Sequence, residues 1–123
     1  MPASTKAECL AELREMFGKV FLAVCPEGNM GPEQWQDLMS KTGSDSTWDD
    51  VAGALLEMQN SDEAVVQEAV GKVDLDAGMT KAQYVALNTH QLDSIPDAPL
   101  VNQVFPEVRL DVAAALKAVG AAE

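Results

Sequence analysis

The sequence predicts an all-α protein of six to seven short helices. Apolar residues recur at spacings of three and four through most of the chain. Helix-start and helix-stop residues bracket those runs, and alternating β-branched runs that would make strands are absent. At 123 residues the chain is most simply one domain, 1–123, large enough to bury a core. Within it lie a first helix–loop–helix segment (5–43), a second (46–94) and C-terminal helices (95–123).

Leu10, Leu13, Phe17, Val20 and Val24 form one stripe over residues 5–24, widened by Met16 and Phe21. Pro26 and Gly28 end that helix. Gly31 and Pro32 open a second through about Lys41, because proline suits the first helical position, and Gly43 closes it. The third starts with Ser46 or Thr47 as cap and Asp49 and Asp50 in its first turn, with Trp48, Val51, Leu55 and Met58 on one face. A fourth is expected after a cap at Asn60 or Ser61, with Val65, Val66, Ala69, Val70 and Val73 as its apolar positions. The fifth runs from Thr80 to about Leu92. Pro96 and Pro99 then break the pattern, a short helix follows around Leu100 to Phe105, and Pro106 opens the last, carrying Leu110, Val112, Leu116 and Val119.

Twenty acidic against eight basic residues give a formal charge of −12. Such a surface repels phosphate backbones, so a basic peptide, a basic protein face or a cation is the expected partner rather than nucleic acid. No apolar run approaches the ~20 residues of a membrane span. The opening MPASTKAECLAEL mixes charge with apolar residues, unlike a secretory signal. Cys9 and Cys25 would lie roughly 24 Å apart along one helix, too far to pair, and two unpaired thiols point to a reducing, cytoplasmic compartment.

Two short stretches echo each other. NMGPEQW (29–35) and GMTKAQY (78–84) both read Met, three residues, Gln, aromatic. This pattern resembles the second half of an EF-hand, whose twelve-residue loop carries oxygen ligands, a glycine, an apolar residue and a final acid leading into a helix. With Met30 as the apolar residue, Gly28 is the loop glycine, Gln34 takes the place of the final acid and Trp35 follows it. With Met79 in that role, Asp74 and Asp76 fall on ligand positions, Gln83 on the final acid and Tyr84 on the aromatic. Both loops depart from the pattern. Gln34 and Gln83 are neutral amides where a bidentate carboxylate belongs. Ala23, Cys25 and Glu27 supply a single acid in the first loop. Lys72 heads the second loop, and Gly78 comes one place late. Helix capping accounts for Thr80 with Gln83 and for half of Gly31 with Gln34, but not for the matched Met30 and Trp35, Met79 and Tyr84.

The resemblance implies a degenerate, non-calcium-binding pair of hands, similar to myosin light chains and other calmodulin-like proteins. It implies an adaptor holding a basic amphipathic helix of a partner, with Met30, Trp35, Met39, Met79 and Tyr84 as core or groove lining. In paired hands the residues equivalent to Met30 and Met79 meet through a short backbone bridge. The rival expectation is a calcium-responsive sensor or buffer using Asp74 and Asp76 in the loop 72–83. A third is a small acidic carrier, since LDSIPDA around Ser94 resembles the serine motif of acyl carrier proteins, or a structural subunit of a larger assembly. No cofactor is expected and no enzyme activity, as the one histidine, His90, has no evident catalytic companions.

Overall fold

A computed structural model describes residues 5–121, which leaves Met1–Ser4 of the opening stretch and residues 122–123 outside it. All regular structure in the described residues is helical: α1 (Lys6–Val24), α2 (Pro32–Thr42), α3 (Trp48–Gln59), α4 (Ala64–Val70), α5 (Lys81–Thr89), α6 (Asp97–Pro99) and α7 (Phe105–Ala118). A 3-10 turn, His90–Ser94, follows α5, and a π turn, Leu100–Val104, joins α6 to α7. None of these helices is long and apolar enough to cross a membrane.

The helix starts follow local chemistry. The hydroxyls of Thr5, Thr47 and Thr80 accept the N–H of Glu8, Asp50 and Gln83, and each of those side chains reaches back to the cap. Thr47→Ala removes one such acceptor from α3 and is expected to lower stability by about 1 kcal/mol, a fall of roughly 4 °C in Tm by thermal melting. Gly43 ends α2 in the left-handed conformation, with φ of 71°.

Three segments differ from the sequence expectation. Glu63, not Asn60 or Ser61, precedes α4; Asn60 ends α3, and the Ser61 hydroxyl accepts the Glu63 N–H (3.1 Å), shaping the turn between the helices. The fifth helix is α only to Thr89 and tightens into the 3-10 turn that holds Leu92. The short helix expected around Leu100 to Phe105 is present as the π turn Leu100–Val104, but the prolines do not isolate it from its neighbours. Pro96 precedes α6 with φ of −58°, and Pro99 stands in the first turn, where its missing N–H has no intrahelical partner to lose. Pro106 stands in the first turn of α7, as expected, although the π turn before it makes the helical run continuous. Its ring crowds the carbonyl one turn back, and the widened π turn before it, where the Phe105 N–H donates to Leu100 O, gives the room.

The core draws on nearly every element. Leu13, Val20, Phe21, Leu38, Leu55, Leu100 and Val112 are all but fully buried. Helix α1 is the central strut, packed against α5 along one side and α7 along another, while α3 and α4 pack against a further side of α5. Cys9 and Cys25 are buried free thiols. Burial raises the pKa of both thiols and so disfavours the thiolate, and for Cys9 the carboxylates of Glu12 and Glu8 add to the rise.

Candidate functional site: two linked loops and an apolar groove

The loop after α1 and the loop after α4 meet at one point. Met30 N–H donates to Met79 O (2.8 Å) and Met79 N–H donates to Met30 O (2.7 Å), an isolated antiparallel bridge. Asn29 adds a third link, its Nδ2 donating to Ala77 O at 3.2 Å. Gly28 and Gly78 turn the two chains into this contact with φ of 80° and 94°. Gly78 is the tighter position: a Cβ there would stand 2.8 Å from Met30 O.

The second loop is held shut from inside by Gln83, which is only 4 % exposed. Its Nε2 donates to Val70 O (3.0 Å) and Lys72 O (3.2 Å), while its Oε1 accepts the Thr80 N–H (3.0 Å). One neutral side chain therefore ties the last residue of α4, the head of the loop and the start of α5. Gln59 Oε1 accepts the Val73 N–H (2.6 Å), anchoring the same loop to α3. Asp74 is turned to its own backbone, where Oδ1 accepts from Asp76 N–H (3.1 Å) and Ala77 N–H (3.2 Å). Asp76 is exposed.

The donor set does not suit calcium. The ion takes six to eight oxygens, several of them anionic. Here an N–H2 group points at the loop carbonyls, a lysine heads the loop, and one carboxylate oxygen is committed to two amides. Among the described residues no cluster of acidic, His and Cys side chains could hold a metal ion. In the first loop Gln34 is exposed and does less, accepting only the Gly31 N–H at 3.0 Å.

The other residues singled out by the repeat divide between core and surface. Met30, Met79, Tyr84 and Trp35 are buried, and Met39 is half-buried. Trp35 Nε1 donates to Ser46 O at 3.0 Å, fixing α2 to the segment before α3. Tyr84 packs between Phe17 and Phe21, with ring centroids 6.2 and 5.9 Å away. Burial pushes its phenol up to about 12, from an ordinary value of 10. The folded state thus favours the neutral ring, so its contribution is intact below pH 10 and is lost as pH rises from about 10 toward about 12. Alkaline titration of tyrosinate absorbance should show this single tyrosine ionising well above free tyrosine, and in urea at the ordinary value.

A feature the sequence did not single out is an apolar groove of about 550 Å3 between α1, α4 and α5. Leu22, 46 % exposed, and Val65, 66 % exposed, stand on its walls with Ala69, Val85 and Ala86. The available signal was α4 itself: five of its seven residues are large or small apolar groups on two faces, and Val66 and Val70 already supply the buried one.

No family model matches the chain, and comparison with curated proteins and with solved structures gives no match either.

Proposed function

We propose that this chain is a calcium-independent adaptor built from two EF-hand-like units, which holds an amphipathic, predominantly basic helix of a protein partner. The observation that carries the reading is Gln83. Its amide makes, from within, the link between loop start and exiting helix that a bound ion makes in a metal-loaded hand. The loop is consequently closed without a cation and needs none to present its helices. The backbone bridge between Met30 and Met79 supports the pairing of the two units, and the buried Trp35 and Tyr84 support their shared core. The exposed apolar groove supports a binding role, and the charge of −12 would steer a basic segment toward the protein. Free buried thiols suit a reducing, cytoplasm-like compartment.

Calorimetric titration of the full chain with calcium should give no heat, and circular dichroism no change in helicity. Micromolar binding with a conformational opening would instead establish the sensor reading, with Asp74 and Asp76 as ligands.

A further inference from the structure

The groove between α1, α4 and α5 adjoins a second depression of about 530 Å3 beside α3, α4 and the 3-10 turn; the two share Val65, Val66, His90 and Asp93. Together they form a trough whose shared stretch carries Val65 and Val66 beside His90 and Asp93, with charges of opposite sign, unpaired among the described residues, toward its two ends. Arg14, Lys19 and Lys81 line the first depression, three of only eight basic residues in the chain. Its acids are already engaged: Asp93 lies 3.0 Å from Arg14, and Glu15 lies 3.7 Å from Lys19. Lys81 rests its stem over Gly18, where an added Cβ would meet Lys81 Cε at 3.3 Å, and no carboxylate of a described residue pairs with it. The second depression has the opposite character. Glu57 and Glu63 line it, no lysine or arginine does, and no described cation pairs with either acid.

We infer that this trough seats the partner helix in one direction only. The partner's apolar stripe lies on Leu22, Val65 and Val85, an acidic turn lies over Lys81, and a basic turn lies over Glu57 and Glu63. Helices favour acids in the first turn and bases in the last, because the macrodipole stabilises both, so the partner's N-terminus belongs at the Lys81 end. A helix with both ends basic would meet an unpaired lysine there. This inference rests on the adaptor reading and adds to it a location and a polarity.

The test uses the full chain and synthetic amphipathic peptides of about five helical turns, followed by fluorescence anisotropy at low salt. Two peptides share one apolar stripe and one composition; the first has an acidic N-terminal and a basic C-terminal turn, the second the reverse. A third is basic at both ends. The first should bind roughly tenfold more tightly than the second, the effect expected of two exposed charge contacts changed in sign. Lys81→Glu should erase or invert that preference, and Val65→Asp should abolish binding of every peptide. Both substitutions fall on exposed side chains, and unchanged circular dichroism will show that the fold persists. Equal binding of the first two peptides, or a preference indifferent to Lys81→Glu, overturns the polarity and leaves the adaptor reading standing. Failure of all three peptides to bind overturns both. Self-association in analytical ultracentrifugation that Val65→Asp removes would assign the trough to a second copy of the chain and overturn the inference.

Discussion

Gln83→Glu should destabilise the protein by about 3 kcal/mol, lowering Tm by roughly 10 °C, although it changes only an amide nitrogen to oxygen. The substitution removes two donated hydrogen bonds, to Val70 O and Lys72 O, and sets a carboxylate against those two carbonyls in a buried place. Each buried carbonyl left without a donor costs about 1–3 kcal/mol, and the like polarity of the new group adds to it. The pH dependence has a definite sign. Burial beside two carbonyls raises the folded-state pKa of the new acid above its unfolded value, because only its protonated form can donate. The variant should therefore come nearest to the parent below the unfolded pKa, and lose stability as pH rises through the folded one. Urea denaturation at a series of pH values measures this directly. Calcium should not rescue the variant at neutral pH, since Lys72 still heads the loop and Asp74 still serves its own backbone. Restoration of Tm by millimolar calcium would show that the loop retains a working ligand set, and would sink the metal-free reading.

The paired substitutions Gly78→Ala and Gly28→Ala should separate by at least 2 kcal/mol, though both sites have positive φ. Each pays the left-handed backbone cost of about 1 kcal/mol. At Gly28 nothing lies within 4 Å of the new methyl, so that is the whole effect. At Gly78 the methyl would stand 2.8 Å from Met30 O and 3.1 Å from Asn29 Cβ, both in the partner loop. Relief requires moving the loops apart, at the expense of the two bridge hydrogen bonds and the Asn29 contact. The expected cost is about 3–4 kcal/mol for Gly78→Ala. Amide exchange should report the same event locally, with Met30 and Met79 losing protection in that variant alone. Equal destabilisation at the two sites would mean that the bridge contributes little.

What could be read from the sequence was mostly what depends on near neighbours. The helix starts at Thr5, Thr47 and Thr80 were legible because cap and partner lie three residues apart. The all-α class followed from the same local periodicity. Pro96 and Pro99 misled because a proline's effect depends on its position within a helix, and Pro99 in a first turn costs little; Pro106 opens α7 as expected, but the π turn that accommodates it is foretold by no local rule. Gln34 and Gln83 look alike in the repeat, yet one is exposed with a single bond and the other is buried with three. That difference comes from the path of α4 and its following loop, which returns Val70 O and Lys72 O to the side chain. The trough was hidden for the same reason. Whether Leu22 and Val65 end up covered depends on which faces α3, α5 and the 3-10 turn leave open, and this is decided by packing between elements remote in sequence.

The central position of α1 sets a timetable for the newborn chain. Its main packing partners, α5 and α7, are made late, so Leu10, Leu13 and Phe21 leave the ribosome without most of the surface that covers them. At roughly 5–20 residues per second, the interval from the end of α1 to the end of α7 is on the order of 5–20 s. During that time an amphipathic helix is exposed to hydrophobic-binding factors in its surroundings. Acquisition of the native state is thereby tied to the emergence of α7, and a nascent chain halted before that helix should be a chaperone client rather than a partly folded domain.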